Sequence, residues 1–464
     1  MHVRIHQDVK VTRDGSGRYF LFAADSGKTR YLNETASFVW DRCDEGLSID
    51  DISARLASEY DVSQSNAHAD IRSLVDQLAE AGFARVHDTA AASQSSSWSL
   101  VGDGPREIDI SITGRCNARC PYCFYGDEMV KRADLPKVQW LSFFDELGRL
   151  PTQSLCVSGG EAFTRPDLWE LIDGIIANRM RYSMLSNGAL ITERTLAAFG
   201  EGKRRARLSS IQLSVDGSTA EVHDRSRGHG FFDRTIAAIR LLLEARFPVT
   251  VRVTVNRHNV DDLEATAKLL LEDIGIRSFG TNDAMPEGKG RLNADSIGLT
   301  PSQRVTAMNT LARLAERYPG RVQASAGPLA NHRTYAKLRR WKHDGEPVSN
   351  GGYLTACGCV FNKLAVLHDG AIVPCNVLPD LHMGRIGHDA VRTIWRSHAT
   401  LRAIRDRRRI PMTAVPGCET CEWAEACNGS CPGLAYELTG DINRANPHDC
   451  YRRFLEQAGQ HDCA

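Results

Sequence analysis

The sequence predicts an α/β protein in three parts, in which a partial (β/α)6 barrel lies between a small N-terminal α+β domain and a cysteine-rich C-terminal segment. Three observations predict this arrangement. Strand-like and helix-like segments alternate six times in the middle of the chain, a Ser-rich stretch separates them from a short run of strands and helices, and nine of the 14 cysteines follow residue 350. A chain of 464 residues is long enough for two to four domains, each with its own core.

The composition along the chain sets the expected boundaries. The stretch DTAAASQSSSWS predicts a linker, because small polar residues cannot bury enough apolar surface to fold. A second change of character lies near residue 350, where helical periodicity weakens and turns and cysteines dominate. We therefore expect an N-terminal domain at 1–88, a linker at 89–103, a core at 104–300, a bridging helical region at 301–349 and a C-terminal domain at 350–464.

The N-terminal segment begins with strands and continues with helices. The stretch VRIHQDVKVTRDGSGRYFLFAADSGKTRYLNET alternates polar and apolar residues across Gly-containing turns, which predicts two or three short antiparallel strands. Three helices are predicted to follow. In the third, apolar residues at i, i+3, i+4 and i+7 form one face, and Gly82 stands where the helix would end. The residues of this face are Ile71, Leu74, Val75 and Leu78.

Six strands are predicted in the core, with helical sequence between them. In the first, REIDISIT, the residues Ile108, Ile110 and Ile112 fall on one face. The repetition indicates βα units on a parallel sheet, and six units are too few for a closed eight-stranded barrel. Ligands of such sheets bind at the carboxyl ends of the strands. The other strands are predicted in SLCVSGG, RYSMLSNG, SSIQLSVDG, VTVRVTVN and IRSFGTND.

Composition limits the partners of the chain. Lys and Arg balance Asp and Glu at 57 each, so no net charge draws the whole chain to nucleic acid or to an anionic membrane. Because the sequence has no 18-residue apolar run and no signal-like N-terminus, we expect a cytoplasmic protein without a membrane partner. In a reducing compartment, 14 cysteines are expected to hold metal rather than form disulfides. The basic run RAIRDRRRI predicts a solvated helix face.

Three cysteines crowd into the loop after the first predicted core strand. In TGRCNARCPYCFYGDE, Cys116, Cys120 and Cys123 are spaced as CxxxCxxC with no fourth cysteine beside them. A closed zinc site takes four ligands, whereas three thiolates suit a [4Fe–4S] cluster with one iron left open. With Tyr122 before the last cysteine, the loop resembles the cluster loop of the radical S-adenosylmethionine (SAM) superfamily. The resemblance implies that reduction of SAM yields a 5′-deoxyadenosyl radical, which removes a hydrogen atom from a substrate.

Three further loops, each after a predicted core strand, resemble the SAM-contacting loops of that superfamily. VSGGEAF matches its GGE motif, LSNGAL its next ligand loop and LSVDGSTAEVHDRSRG the following one. Glycines let the backbone approach a ligand, a carboxylate accepts from an ammonium, and an arginine can pair bidentately with a carboxylate. Singly, each loop is ordinary turn chemistry, but their order at successive strand ends is specific. The resemblance implies these cofactor contacts: Tyr122, Gly159, Gly160, Glu161, Ser186, Asn187, Ser214, Asp216 and Arg227.

The C-terminal cysteines follow a second pattern. The segment CETCEWAEACNGSC is spaced as CxxCxxxxxCxxxC, and LAVLHDGAIVPC predicts a hairpin about Asp369 and Gly370 that presents Cys375. The set resembles the seven-cysteine SPASM domain of peptide-maturing radical SAM enzymes, which implies two auxiliary [4Fe–4S] clusters and three clusters in all. The resemblance assigns Cys418, Cys421, Cys427 and Cys450 to one auxiliary cluster, and Cys375 and Cys431 with one or both of Cys357 and Cys359 to the other.

Several cysteine-region residues stay outside these assignments. If only one of the closely spaced Cys357 and Cys359 binds, an iron is left open for a substrate, and if both bind, the cluster is saturated. Asn376 stands where sulfatase-maturing relatives can place an acidic base, and an amide cannot take a proton in that role. The remaining thiols are predicted to be small buried hydrophobes at Cys43 and Cys156, while Cys463 has no assigned role.

The run RYLNETASFVWDRCDEGLSIDDISARLASEYDV resembles the recognition element of enzymes that process ribosomally synthesised and post-translationally modified peptides (RiPPs). This winged-helix-like domain is related to the peptide chaperone of the PQQ pathway. The resemblance implies that a leader peptide binds as an added strand at an exposed sheet edge. Capture of the leader would raise the effective concentration of the core peptide at the radical site. A generic winged-helix packing domain is the alternative.

Together the resemblances predict a radical SAM enzyme that binds a precursor peptide by its leader and forms an oxidative crosslink, a thioether, carbon–carbon or ether bond. They imply an external electron donor of the flavodoxin or ferredoxin type, while the general base and the oligomeric state stay open. One alternative is a maturase of a protein subunit or a sulfatase-type oxidation of a residue, with a folded target and no leader. Another is a non-catalytic iron–sulfur electron carrier or peptide-binding module, which would bind clusters without consuming SAM.

Overall fold

The computed structural model describes most of the chain in nine stretches. Of the linker predicted at 89–103, only residue 103 lies within them, and Cys463 also lies outside the described residues. Within the described residues, no helix is both long and apolar enough to cross a membrane. The stretches are residues 2–5, 9–13, 19–23, 28–45, 47–60, 62–87, 103–126, 131–348 and 351–458.

In its described residues, the N-terminal domain has two small antiparallel sheets and three helices. Strand β1 (His2–Ile5) pairs with β5 (Ala84–His87), which follows the helices, and the second sheet has the order β2-β3-β4. Four strands precede the helices where two or three were predicted, because the short β1 has a partner far along the chain and no local pattern reveals it. The other bounds are Val9–Arg13 for β2, Tyr19–Ala23 for β3, Thr29–Tyr31 for β4, Glu34–Asp44 for α1, Ile49–Tyr60 for α2 and Gln64–Glu80 for α3.

Helix α3 closes the N-terminal core with the face that the sequence predicts. Ile71, Val75 and Leu78 are buried on it, and Cys43 of α1 is buried in the same core, as expected. Gly82 follows the end of the helix with φ of +84°, a left-handed conformation that favours glycine. The N-terminal part of the chain therefore has its own apolar core.

As far as the structure describes the chain, the core is an open sheet of ten strands in the order β12-β11-β10-β9-β8-β7-β6-β13-β14-β15. All six predicted strands form as β6 to β11 and pair in parallel, which confirms the partial barrel. Strand β12 adds to β11 in parallel, and β13 of the C-terminal domain adds to β6 in parallel. The bounds are Glu107–Ser111 for β6, Ser154–Ser158 for β7, Arg181–Ser186 for β8, Leu208–Ser214 for β9, Val249–Val255 for β10, Phe279–Asp283 for β11, Val322–Ala324 for β12, Lys363–Val366 for β13, Ala371–Val373 for β14 and Gly384–Arg385 for β15.

Helices cover the apolar face of this sheet. Ile108 and Ile110 of β6 are buried in one core with Trp140 and Phe144 of α4 and Ile239 of α9. In the stretch VDDLEATAKLLLEDIG, helix α10 (Leu263–Lys268) is followed by a π-helical turn at Leu269–Asp273. The bounds are Lys137–Gly148 for α4, Leu168–Ala177 for α5, Glu193–Gly200 for α6, Arg204–Arg207 for α7, Ala220–Arg227 for α8, Phe231–Glu244 for α9, Leu263–Lys268 for α10, Lys289–Leu292 for α11, Ala294–Ile297 for α12, Pro301–Arg317 for α13, Pro328–Asp344 for α14, Val391–Ser397 for α15, Ala399–Asp406 for α16, Pro432–Thr439 for α17 and Tyr451–Ala458 for α18.

The predicted hairpin of the C-terminal domain forms from β13 and β14. Gly370 has φ of +89° at its turn, and the N–H of Leu367 donates to the carbonyl of Ala371 at 2.9 Å. Because β13 also pairs with β6, this hairpin continues the core sheet. The C-terminal domain is thereby joined to the strand that leads into the first cysteine loop.

Candidate functional site

The first cysteine loop leaves β6 at the carboxyl edge of the sheet. Asp134 holds its backbone, because one carboxylate oxygen accepts from the Gly114 N–H and the other from the Thr113 hydroxyl, both at 2.7 Å. Burial raises the pKa of the Cys116 thiol to about 11. A metal removes the proton of a coordinating thiol outright, so Cys116 would become a thiolate on binding metal.

The GGE loop lies directly against the cysteine loop. The Gly160 N–H donates to the Thr113 carbonyl and the Glu161 N–H donates to the Arg115 carbonyl, each at 2.8 Å. A Cβ on Gly159 would stand 2.6 Å from the Thr113 oxygen, and one on Gly160 would overlap the Arg115 oxygen. Both glycines are therefore required for contact between the two loops, whereas the sequence suggested close approach to a ligand.

Glu161 binds the third loop. Its carboxylate accepts from the Ser186 hydroxyl and from the Asn187 N–H, both at 2.8 Å. Burial raises the pKa of Glu161, and these two hydrogen bonds oppose the increase. The side-chain N–H of Asn187 donates to Asn117 Oδ1 at 2.7 Å, inside the cysteine loop. Glu161, Ser186 and Asn187 thus form one bonded unit that joins the second and third loops to the first.

Asp216 and Arg227 form a buried ion pair. The Asp216 carboxylate accepts from Arg227 Nε at 2.6 Å and from the Thr254 N–H at 2.8 Å. The Tyr122 hydroxyl donates to the same carboxylate, and the Arg227 guanidinium lies 5.4 Å from the centroid of the Tyr122 ring. Burial raises the pKa of Cys120, and the charge of Arg227 opposes that increase. Arg227 therefore binds Asp216 in this structure, and the pair fastens the cysteine loop to β10.

His223 lies behind this ion pair. The Asp216 N–H donates to its Nδ1 at 3.1 Å, and burial lowers the pKa of His223 to about 4. The folded protein therefore favours the neutral ring, and this contribution to stability is complete above the unfolded value of 6.5. This contribution of His223 to stability is lost as the pH falls from 6.5 towards 4.

We expect the free energy of unfolding to fall by about 2 kcal/mol between pH 7 and pH 5 because of His223. Urea unfolding of the wild type and of a His223→Gln variant, measured at several pH values, checks this. The variant should lack that share of the pH dependence, because glutamine does not titrate. Equal slopes in the two proteins would contradict the assignment.

Cys156 faces the polar side of the sheet, contrary to its prediction as a buried hydrophobe. Leu155 and Val157 take the apolar face, so alternation places Cys156 on the other. It stands opposite Asp109 of β6, whose carboxylate lies 3.5 Å from Lys363 Nζ. Burial, with the nearby charge of Asp109, raises the pKa of Cys156 to about 11. The interior of the partial barrel is thus polar beside β13.

The segment after β11 also belongs to the site, and the sequence interpretation missed it. The Lys289 N–H donates to the Cys123 carbonyl, and the Asn293 side chain donates to the Pro121 carbonyl, both at 2.9 Å. Gly288 has φ of +52°, and a Cβ there would stand 2.8 Å from the Cys123 oxygen. The glycines of PEGKG after the last predicted strand were the available signal. Ser214, which the sequence analysis named as a cofactor contact, is the last residue of β9 and pairs with Arg252 of β10.

One set of C-terminal cysteines lines a cavity of about 270 Å³. The rings of Trp423 and Tyr451 lie on it with centroids 4.9 Å apart. Burial raises the pKa of Cys427 to about 11, and the neighbouring thiols raise it further. The four cysteines that the sequence assigned to one cluster all line this cavity: Cys418, Cys421, Cys427 and Cys450.

The second C-terminal set also comes together. Burial raises the pKa of Cys375 to about 12, and Cys431 and Cys357 lie near enough to raise it further. Cys357 shares a hydrogen bond with Cys359 and has φ of +62°, which is uncommon for a residue other than glycine. Its N–H donates to Thr355 Oγ1 at 3.1 Å. Both thiols of the CGC pair therefore lie at one site.

The prediction that the basic run RAIRDRRRI forms a solvated helix face is wrong, because two of its arginines, Arg405 and Arg407, are buried. Arg407 donates to the carbonyls of Thr355 and Arg444, and Arg405 donates to the carbonyl of Val360. Burial lowers the pKa of both guanidinium groups to about 10. These arginines hold the backbone on both sides of the CGC pair. The charge pattern alone could not show this, since their partners are distant carbonyl groups.

The thiols suit a cluster of several irons. Among the described residues, no group of three or more His, Cys, Asp or Glu could hold a single metal ion. Ligands of one tetrahedral zinc lie within about 4 Å of each other, because each Zn–S bond is about 2.3 Å long. The cavity of about 270 Å³ that Cys418, Cys421, Cys427 and Cys450 line leaves room for a polynuclear cluster.

Three family models match separate parts of the chain. The radical SAM superfamily matches residues 110–270, coenzyme PQQ synthesis protein D (PqqD) matches 18–84, and the iron-sulfur cluster-binding domain (SPASM) matches 357–422. The matched ranges contain the cysteine loop, most of the N-terminal domain and most of the C-terminal cysteines. Iron–sulfur clusters and SAM are therefore the cofactors of this fold.

Curated relatives and solved structures agree with these matches. The chain is 28% identical over 357 residues to an AdoMet-dependent heme synthase of Methanosarcina barkeri, covering 75% of this chain and 97% of the relative. It is 28% identical over 341 residues to a PqqA peptide cyclase of Ruegeria pomeroyi, covering 72% and 84%. A mycofactocin maturase MftC of Mycobacterium ulcerans is 28% identical over 331 residues, covering 71% and 83%.

Two solved structures share the fold. SuiB of Streptococcus suis bound to precursor peptide SuiA superposes with a TM-score of 0.63 at 13% identity, covering 97% of this chain and 100% of SuiB. The structure of anSMEcpe with bound AdoMet gives 0.55 at 19% identity, covering 76% and 96%. With the geometry of the cysteine loops, the family matches show that the chain is an enzyme that combines a radical SAM domain with a SPASM domain and a PqqD-like domain.

Proposed function

We propose that this enzyme binds a precursor peptide by its leader and modifies a side chain of the following core peptide, ending in an oxidative crosslink. The observation that carries the proposal is that a PqqD-like domain, a SAM-type cysteine loop and SPASM-type cysteines occur in one chain. When bound, the first cluster and SAM supply a 5′-deoxyadenosyl radical, which removes a hydrogen atom from the substrate. The crosslink is a thioether, carbon–carbon or ether bond.

Residues of the chain itself hold the cysteine loop and accommodate the substrate. The paired loops of Glu161, Asn187 and Asp216 hold the cysteine loop in place, and the polar barrel interior beside Asp109 and Lys363 accommodates the peptide residue. The proposed contacts with SAM stay those that the resemblance implies. We further propose three [4Fe–4S] clusters on the three cysteine sets, an external electron donor of the flavodoxin or ferredoxin type, and a cytoplasmic location.

The leader would bind at β4, the edge of the second N-terminal sheet. The strand order β2-β3-β4 places β4 at one edge of this sheet, and all three of its residues are exposed. An edge of this kind can accept a further strand. The Arg30 side chain donates to Gln77 Oε1 of α3 at 2.8 Å, so the helix flanks this edge.

A peptide product is favoured over a porphyrin product, although one relative is named a heme synthase. The heme synthase matches 75% of this chain and the PqqA peptide cyclase matches 72%, so coverage does not separate the two. The PqqA peptide cyclase is named for a peptide, and SuiB, which shares the fold, is bound to a precursor peptide. The PqqD-like domain at residues 18–84 is expected in an enzyme that modifies a peptide.

The test first looks for a short open reading frame beside the gene. The peptide that it encodes is then combined with the reconstituted full chain, SAM and a reductant. We expect mass spectrometry to show a product that has lost two hydrogen atoms per crosslink. Removing the leader from the peptide should raise KM by at least about a hundredfold, because tethering no longer concentrates the core at the site.

The other outcomes separate the alternatives. Modification of a folded protein without a leader would instead indicate a subunit or sulfatase-type maturase. Cluster binding without consumption of SAM would indicate an electron carrier or a peptide-binding module.

A further inference from the structure

Arg252 of β10 is a cation on the polar face of the core sheet. Its neighbours in the strand, Val251 and Val253, are buried in the apolar core beneath the helices, so alternation places Arg252 on the opposite face. Asp109 of β6 and Cys156 of β7 lie on this same face. The side chain of Arg252 therefore belongs to the interior of the partial barrel.

This interior is accessible to solvent. Along β7 and β8, every residue on the polar face is partly exposed, whereas every residue on the other face is buried. Gln212 of β9 and Arg252 of β10 are partly exposed as well. A group that enters the barrel can therefore reach the Arg252 guanidinium.

Among the described residues, the guanidinium of Arg252 forms hydrogen bonds only with uncharged groups. Nη2 donates to Gln212 Oε1 at 3.3 Å and Nη1 donates to the Thr281 carbonyl at 3.4 Å, and both bonds are longer than usual. Burial lowers the pKa of Arg252, and no neighbouring charge opposes the decrease. A guanidinium carries five N–H donors in a planar fork that matches a carboxylate. Arg252 thus offers a positive charge and several donors to an incoming anion.

Gly280 of β11 leaves room for this guanidinium. It pairs with Arg252 in register, and a Cβ on Gly280 would stand 2.8 Å from Arg252 Nη1 and 3.1 Å from Cζ. Glycine inside a strand weakens it and often marks a place where another group approaches closely. Any other residue at this position would displace the guanidinium.

Lys363, on the β13 side of the same interior, is already neutralised. Its Nζ lies 3.4 Å from a carboxylate oxygen of Glu107 and 3.5 Å from one of Asp109. A carboxylate of the substrate would be repelled by these two acidic groups. The Arg252 side of the barrel has no such pair of acids against it, so an anionic group is favoured there.

Arg252 lies deeper in the barrel than the groups that hold the cysteine loop. The N–H of Thr254, two residues further along β10, donates to Asp216, which also binds the Tyr122 hydroxyl. Because a strand rises about 3.3 Å per residue, the Arg252 backbone lies about 7 Å further from this loop. The bond to Gln212, two residues before the end of β9, holds the guanidinium at that depth.

We propose that Arg252 binds the carboxylate of an acidic side chain of the core peptide, an Asp or Glu at or next to the residue being modified. The proposal rests on the proposed function and adds to it the class of side chain that the barrel selects. SAM carries a carboxylate too, and Ser214 pairs with Arg252, so the test has to separate the two sources.

The test compares the reconstituted full-length wild type with Arg252→Met, Arg252→Lys and Gly280→Ala, using the precursor peptide named above. In a matched set of peptides, each Asp or Glu of the core is replaced in turn by Asn or Gln. KM for each peptide is measured by mass spectrometry. Equilibrium dialysis gives the Kd of SAM and of decarboxylated SAM, which lacks only the carboxylate.

Arg181→Met is the matched control. Arg181 lies on the same face of the sheet, at the amino end of β8, and its side chain also donates only to uncharged groups, Ser209 Oγ and the Leu208 carbonyl. The control removes the same charge from the opposite end of the barrel, so KM should stay at the wild-type value.

We expect Arg252→Met to raise KM for the peptide at least about tenfold. One of the amide-substituted peptides should show the same increase with the wild type and no further increase with Arg252→Met, since the pair is then already broken. Arg252→Lys should be intermediate, because it keeps the charge without the fork. Gly280→Ala should raise KM without any change of charge. The Kd of SAM should be unchanged in every variant, which also shows that each is folded.

Four results would overturn the inference while the wild type is active. They are an unchanged KM in Arg252→Met, a core peptide that is modified although it has no acidic residue, an equal increase of KM in Arg181→Met, and weaker binding of SAM but not of decarboxylated SAM by Arg252→Met. The last result would assign the guanidinium to the methionyl carboxylate. A wild type that leaves the peptide unmodified would overturn the proposed function, and the inference with it.

Discussion

Replacing Cys116, Cys120 and Cys123 with Ala is expected to abolish the release of 5′-deoxyadenosine from SAM. The three thiols share one loop, whose backbone is fastened by Asp134, the GGE loop and the segment after β11. With three four-iron clusters, the wild type should hold about 12 iron atoms per chain and the triple variant about 8. Iron and sulfide assays with Mössbauer spectra, after anaerobic reconstitution, measure this difference.

Cys156→Ala is the matched control. This thiol also lies in the barrel, yet it belongs to none of the three cysteine sets, so iron content and SAM cleavage should stay at wild-type values. About 4 iron atoms in the wild type, or an unchanged count in the triple variant, would contradict the three-cluster assignment. The C-terminal cysteines would then have to form a structural zinc domain.

Asp216→Ala is expected to be the most destabilising single substitution in the core. It leaves the buried guanidinium of Arg227 without its carboxylate and the Thr254 N–H and the Tyr122 hydroxyl without their acceptor. Breaking a buried ion pair from one side costs about 3–5 kcal/mol, because the remaining charge stays buried. Chemical unfolding under anaerobic conditions measures the loss. SAM cleavage should fall as well, since Tyr122 lies inside the cysteine loop.

A double variant separates stability from function at this pair. In Asp216→Leu with Arg227→Met, both charges are replaced by apolar groups of similar volume, so most of the lost stability should return. SAM cleavage should not return, because the Tyr122 hydroxyl still lacks its acceptor. If the single and the double variants were equally unstable, the charge of Arg227 would not be the cause.

Much of the site could be predicted because its signals are local. The spacing of Cys116, Cys120 and Cys123 is set within eight residues, and alternation such as that of Ile108 and Ile110 marks a strand directly. The order of the loops along the chain matters because consecutive parallel strands bring their carboxyl ends to one edge. For that reason the cysteine loop, the GGE loop and the Asn187 loop are neighbours in the structure.

The missed features share a different cause, since each depends on a partner far away in the chain. Glu161 bonds Asn187, which is 26 residues away, and Arg407 reaches the Thr355 carbonyl, 52 residues away. Neither the burial of Arg407 nor the polar surroundings of Cys156 can be seen in the residues beside them. Residues that are close in sequence indicate local propensity and periodicity. Charge pairing depends instead on which surfaces pack together in the fold, so it cannot be predicted from them.

The strand and helix order of the core, the three groups of cysteines and their likeness to the radical SAM superfamily could be predicted from short segments, because periodicity and spacing are local signals. Three other features depend on long-range contacts: Arg227 is bound to Asp216, β13 extends the core sheet, and the buried Glu287 carboxyl has no hydrogen-bond partner among the described residues. Packing alone decides these, since hydrogen bonding, burial and pKa follow from what the fold places around a group.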